Sequence, residues 1–174
     1  MKGLRFLLFP FSVLYGFIVS MRNLLFDIGI LRKKSFPVWV ISVGNLSVGG
    51  TGKSPHIEYL IRIMEKLSPR YKNMNITDEN TAVLSRGYGR KTSGFLMVNE
   101  TSTAQEVGDE PKQIKEKFRN VNVAVDEKRA RGIKKLMQMY KNINLFLLDD
   151  AIQHRCVTPT FSILLTNYYR PFYE

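Results

Sequence analysis

An α/β fold with a mainly parallel sheet flanked by helices is expected from three observations. Short apolar runs rich in β-branched residues recur along the chain and alternate with stretches whose apolar residues fall at helical spacing. Within each run the apolar residues are continuous, as in strands buried on both faces. A glycine-rich segment, VGNLSVGGTGKSP at positions 43–55, separates the first run from the first long helical stretch.

Composition sets the frame for these elements. A chain of 174 residues with 44% hydrophobic and 24% charged residues can bury one sizeable core. A formal charge of +11 implies an anionic partner, which could be nucleic acid, a membrane surface or a phosphorylated ligand. Residues 1–40 hold Lys2, Arg5, Arg22, Arg32, Lys33 and Lys34 against Asp27 alone, a net of +5. No basic stripe interleaved with aromatics follows, and no nucleic-acid-binding motif is present, so nucleic acid is not the expected partner. The single Cys156 excludes an internal disulfide and suits a reducing compartment.

The first element is an apolar helix. Between Arg5 and Arg22 lie 16 uncharged residues, short of the ~18–20 that span a bilayer. On a helical wheel Ser12, Gly16, Ser20, Asn23 and Asp27 form one narrow polar stripe in an otherwise apolar surface. That pattern predicts an amphipathic helix in a membrane interface, with Arg32, Lys33 and Lys34 meeting anionic headgroups. A core helix and a single span are the competing readings. Two domains result: 1–34, the interface helix and basic cluster, and 35–174, the nucleotide-binding core.

The run from Phe36 to Val43 starts after the helix and reads as a buried strand. Lys53 to Leu67 places Ile57, Leu60, Ile61, Met64 and Leu67 on one helical face, with Pro55 tolerated in the first turn. The intervening glycines therefore lie between a strand and a helix N-terminus. There Gly49, Gly50, Thr51 and Gly52 would turn successive N–H groups towards an anion. Lys53 would reach the terminal phosphates of a nucleotide and Ser54 would bind Mg²⁺. Ser47 stands where the phosphate-binding loop usually has its first glycine, but Lys-Ser keeps the correct offset. The fold class is thus P-loop NTPase-like.

Residues 68–80 are polar and read as a loop, followed by the strand Thr81 to Ser85. That strand runs into Arg86-Gly-Tyr-Gly-Arg90, beyond the carboxyl end where α/β sheets bind ligands. Arg86 and Arg90 are placed to meet phosphate, or else are solvated arginines of a turn. A hairpin strand, Gly94 to Val98, is expected next. Pro111 should open a helix carrying Ile114 and Phe118, with Asp109 and Glu110 at its N-terminus, where acids also complement the dipole. Val121 to Val125 is another buried strand. Asp126 to Asn142 should be a helix with Ala130, Ile133, Met137 and Tyr140 inward and a solvated basic outer face. The apolar run from Ile143 ends in Asp149-Asp150, an acidic strand end suited to holding Mg²⁺ near Ser54. Phe161 to Leu165 is the last strand expected.

Taken together and in order, GNLSVGGTGKSP, SRGYGR, GDEP and DDAIQHR resemble the tetraacyldisaccharide 4'-kinase family, which phosphorylates the lipid A precursor disaccharide. The resemblance covers the chain to about residue 170. It implies that Lys53 and Ser54 bind ATP phosphates and Mg²⁺, and that Asp109 accepts the sugar hydroxyl proton. Glu110 would help hold the metal, Asp149 and Asp150 would supply the acidic strand end, and His154 would lie close by. The implied location is the cytoplasmic face of the bacterial inner membrane, peripheral and monotopic; oligomeric state stays open. Ala151-Ile152 departs from the family's Gly-Phe, which affects packing beside the acids. Family members continue for roughly as long again, so a truncated chain lacking half of the substrate cleft is expected. A partitioning-type ATPase would carry a second lysine where Val48 stands, and a GTPase an N-K-x-D motif that these residues lack. A non-catalytic module of the same fold also remains open.

Overall fold

The structure is a computed structural model in which residues 2–45, 52–67, 76–151 and 155–166 are described, with side chains in the first helix described from Phe9 onward. The chain divides into two compact units, Met1–Lys34 and Ser35–Glu174.

The first unit is built on helix α1, Lys2–Asp27, which continues through Pro10. Phe11, Tyr15, Phe17 and Leu24 are all more than half exposed on it. The stretch Phe9–Asp27 is long and apolar enough to cross a membrane by length and composition. The reading of 16 uncharged residues as too short thus underestimates the helix, because the apolar character continues past Arg22.

In the second unit, six strands form one sheet: β1 Trp39–Asn45, β2 Thr81–Ser85, β3 Leu96–Met97, β4 Asn122–Val125, β5 Leu145–Asp149 and β6 Phe161–Leu165. Their spatial order is β3-β4-β2-β5-β1-β6, with every pairing parallel except β3 with β4. The segment expected to be a hairpin strand is therefore an edge strand paired antiparallel with β4, reached across two intervening helices.

Those helices are α3, Ala104–Val107, and α4, Asp109–Lys117; the other α-helices among the described residues of the unit are α2, Lys53–Leu67, and α5, Arg129–Met139. Alternation along the strands sorts the core into two layers. Val83, Leu145 and Leu147 face Ile57, Leu60 and Ile61 of α2 and Ile114 of α4. Ala82, Leu84, Phe146 and Leu148 face Ile133 and Leu136 of α5 on the other side. Burial on both faces explains why the strands read as unbroken apolar runs.

Helix α5 is shorter than expected. Ile133 is buried, and Ala130, Met137 and Tyr140 pack half-buried against the same core layer, as expected, while Arg129, Gly132 and Leu136 are buried as well. Gly132 permits the close approach: a Cβ there would lie 2.7 Å from Leu84 Cδ2. α4 begins at Asp109, two residues before Pro111, so both acids belong to its first turn.

Phe146 lies at the centre of the sheet and is fully buried. Phe146→Ala should destabilise the chain by about 3–5 kcal/mol in urea unfolding, through lost burial and the cavity left behind. Phe161→Ala, on exposed β6, should change stability by no more than about 0.5 kcal/mol.

Candidate active site

Parallel pairing sends the carboxyl ends of β1, β5 and β2 to one edge of the sheet, where α/β proteins bind ligands. β1 and β5 are in register with Val43 opposite Asp149, and β5 and β2 with Leu148 opposite Leu84. By alternation Asn45, Asp149 and Ser85 point to the face covered by α2 and α4. The helix N-termini on that face carry Lys53 and Ser54 on α2, and Asp109 and Glu110 on α4.

Lys53 links two strand ends. Its Nζ donates to Asn45 Oδ1 at 3.1 Å and pairs with Asp150 Oδ1 at 3.1 Å. Gly52, with φ of 77°, makes the turn into α2, and its carbonyl accepts from the His56 N–H at 3.2 Å. His56 Nδ1 lies 2.7 Å from the same carbonyl; since a carbonyl only accepts, Nδ1 carries the proton. His56 therefore braces the turn, in keeping with a structural role.

Asp149 is almost completely buried. Its Oδ2 accepts from Ser85 Oγ at 3.1 Å, and Ser85 Oγ accepts in turn from the Gly87 N–H at 3.4 Å. Its Oδ1 is buried without a hydrogen-bond partner. Burial, then the nearby charge of Glu110, raise the carboxyl to about 6, while Ser85 and Arg129 pull in the opposite direction. Asp150 follows with φ of 51°, a left-handed turn that points it at Lys53 rather than alongside Asp149.

Arg129, expected on a solvated basic face, is completely buried. Its guanidinium donates to the carbonyls of Asp126 at 2.6 Å and Asp149 at 2.7 Å, bracing the ends of β4 and β5 across β2. Burial lowers its pKa against the opposing pull of Asp149 and Asp150. Sequence reasoning also missed the buried Asp126, which is held by Arg131 at 2.8 and 2.7 Å and by the Lys128 N–H at 2.8 Å. Burial alone would raise the Asp126 carboxyl, but these donors keep it below the usual carboxylate range. The only sequence signal for either residue was position, Asp126 directly after the strand end at Val125 and Arg129 at the start of the helix that follows.

Of the two arginines expected to meet phosphate, Arg86 is exposed just past β2. Arg90 departs from that expectation. Its side chain is only 3% exposed and is paired with Glu127, so its charge is already compensated inside the fold. Gly49, Gly50, Thr51 and His154, and Ile152 beside Ala151, lie outside the described residues.

Among the described residues, no group of three or more His, Cys, Asp and Glu side chains converges to hold a metal. The expected set of Ser54, Glu110, Asp149 and Asp150 is therefore not assembled as a cage. The donor chemistry nevertheless fits a hard cation that keeps most of its own waters, because the unpartnered Asp149 Oδ1 is an oxygen ligand lacking a positive partner.

A carboxyl raised from 3.8 to about 6 is protonated more readily in the folded chain than in the unfolded one. Its contribution is fully present below pH 3.8 and is lost as pH rises through 6, a decline on the order of 3 kcal/mol. With chelator present, Asp149→Asn should flatten this part of the stability–pH curve and raise the urea midpoint at pH 7.5. An unchanged curve would show that Asp149 is not the buried titrating group.

Comparison with known proteins places the chain in a family. The family model described as tetraacyldisaccharide-1-P 4'-kinase, LpxK, matches residues 4–174. The tetraacyldisaccharide 4'-kinase of Flavobacterium psychrophilum is 54% identical over 168 residues, covering 97% of this chain and 46% of that protein. The Bacteroides thetaiotaomicron protein of the same name is 50% identical over 166 residues, covering 95% of this chain and 41% of that protein. A crystal structure of LpxK from Aquifex aeolicus in complex with ATP matches with a TM-score of 0.77 and 38% identity, over 95% of this chain and 50% of that one. The chain thus spans about half the length of these relatives. With the family model matching residues 4–174, nearly all of its length, the chain belongs to the tetraacyldisaccharide-1-P 4'-kinase family.

Proposed function

We propose that the chain forms the nucleotide-binding and catalytic half of an ATP-dependent kinase that phosphorylates the 4' position of a tetraacyldisaccharide 1-phosphate, the lipid A precursor. One observation carries the reading: Lys53, at the start of α2, bridges the carboxyl ends of adjacent parallel strands beside the buried Asp149. The names of the relatives supply the substrate class, and the ATP-bound neighbour supports ATP as phosphoryl donor.

Lys53 is held by a neutral amide and by Asp150, whose side chain is 58% exposed. Such a pair is worth less than about 1 kcal/mol, so the ammonium can turn to a nucleotide's terminal phosphates at little cost. Gly52 and the α2 N-terminus add N–H donors to the same anion. Ser54 and Asp149, with Glu110 opposite, would hold Mg²⁺, which when bound neutralises charge on the transferring phosphoryl group. Asp109 sits exposed on the first turn of α4, where it can take the proton of the attacking sugar hydroxyl. Phosphoryl transfer passes through a loose transition state, so an ordinary aspartate suffices once the hydroxyl is aligned. Helix α1 and the cations Arg32, Lys33 and Lys34 would keep this site at an anionic membrane surface, where an acylated disaccharide resides, on the cytoplasmic side that supplies ATP.

The test uses the chain extended by the C-terminal half of the Flavobacterium psychrophilum relative, assayed for ATP-dependent phosphorylation of the disaccharide. Lys53→Ala should abolish turnover, and near-normal turnover would overturn the P-loop assignment. Asp109→Ala should lower kcat by about 10²–10⁴-fold with nucleotide affinity retained; lost ATP binding with undiminished chemistry would make Asp109 a helix cap instead. Deleting residues 1–22 should release the protein from anionic vesicles in sedimentation, and unchanged sedimentation would remove α1 from the membrane role.

A further inference from the structure

Arg90 is the arginine that the site does not use, and its surroundings give it another task. The guanidinium donates to the carboxylate of Glu127, to the Gly94 carbonyl at 2.7 Å and to Thr92 Oγ1 at 3.4 Å. The Gly94 N–H donates to Glu127 Oε2 at 3.0 Å, closing residues 90–94 around the ion pair. The stem of Arg90 lies directly on Gly87: a Cβ added there would be 2.6 Å from Arg90 Cδ and 2.7 Å from the Val107 carbonyl. Gly87 in turn lies against Gly108, where a Cβ would be 3.1 Å from Gly87 Cα and from the Tyr88 carbonyl. Glu127, Arg90, Gly87 and Gly108 are thus stacked without an intervening side chain to absorb a shift.

The last member of the stack precedes Asp109. Gly108 adopts φ of 92° and ψ of 156°, a region essentially reserved for glycine, and these two angles set the direction in which α4 and Asp109 leave the turn. A second tie runs beside the stack: the Lys91 N–H donates to the Gln105 carbonyl at 2.7 Å, joining the arginine loop to α3 just before Gly108.

We propose that the Arg90–Glu127 ion pair is a positioning device for Asp109, acting through the backbone contact of Gly87 with Gly108. The functional part rests on Asp109 as the proton acceptor. A positioned group misplaced by about 1 Å can lose two orders of magnitude in rate; removing Glu127 strands the charge of the enclosed Arg90, and removing Arg90 takes away the stem that packs on Gly87. SRGYGR and GDEP, whose first glycines Gly87 and Gly108 lie 21 residues apart, are one mechanical unit: the first motif holds the second.

Two measurements test this on Arg90→Met, Glu127→Gln, the double variant and Arg90→Lys. Amide exchange in the 174-residue chain should speed up over residues 108–112 in both single variants, with Arg90→Lys restoring protection. In the extended chain each single variant should lower kcat by roughly ten- to a hundred-fold, with the ATP dissociation constant unchanged. The double variant should be no slower than the worse single one, because both changes remove the same contact. Unchanged exchange over 108–112 overturns the proposal. So does normal kcat in Glu127→Gln alongside a raised disaccharide KM in Arg90→Met, which would make Arg90 a phosphate ligand. Retained turnover in Asp109→Asn would instead sink the proton-acceptor reading, while accelerated exchange in the single variants would still support the clamp.

Discussion

The register that sets Val43 opposite Asp149 and Leu84 opposite Leu148 determines what the sheet edge can do. Side chains alternate strictly along a strand, so a slip of one residue would turn Asp149 towards α5 and leave α2 facing Leu148. In the observed register one odd-numbered set, Asn45, Ser85 and Asp149, emerges on the α2 and α4 face, where the N-termini of both helices bring Lys53 and the acids of α4. The apolar residues of β5 fix that register. Leu145 and Leu147 are buried in one layer, Phe146 and Leu148 in the other, and neither layer accommodates the exchange.

Polar groups left at the ends of these strands create the remaining demands. Parallel strands ending under helices leave carbonyls that need donors, and Arg129 supplies two of them to Asp126 and Asp149. Its charge also opposes the burial that raises Asp149. The site therefore carries a carboxylate that the fold only partly compensates. An apolar residue at 149 would serve the core better, and the unpartnered oxygen is the sign that its purpose lies outside the fold.

Legibility in the sequence followed how local the controlling interaction was. Lys53–Leu67, Thr81–Ser85 and Phe161–Leu165 have the bounds expected, because a glycine turn, an apolar run and a basic loop mark their ends in the chain itself. Apolar periodicity finds Ala130, Ile133, Met137 and Tyr140 on the inward face of α5, but not the arginine and the glycine that share it, which are buried by strand-end carbonyls and by the nearness of Leu84. β3 was misassigned as a hairpin partner for the same reason, since its antiparallel neighbour lies more than twenty residues ahead. At the site, the residue types were legible as motifs, but their partners were not. Nothing local tells Arg86, which is exposed, from Arg90, which is enclosed by a glutamate 37 residues away.

The ion pairs fall into two kinds, and the difference suits the proposed phosphoryl transfer. Arg131 grips the buried Asp126 with two hydrogen bonds, and Glu127 grips the enclosed Arg90 from a side chain shared with the Gly94 amide. Asp126 accepts from several donors and Arg90 donates to several acceptors, each in a place water reaches poorly, so releasing either would strand a charge. Lys53 and Asp150 meet through a single contact at a carboxylate mostly open to solvent, which an arriving polyanion can replace at small cost. The fixed pairs surround the loops beside Asp109 and the β5 end, and the exchangeable one sits where the proposed nucleotide would enter. A rigid frame with one replaceable contact lets binding reorganise a single lysine while the acids keep their places, and pre-arrangement of that kind is where a loose transition state gains most of its stabilisation.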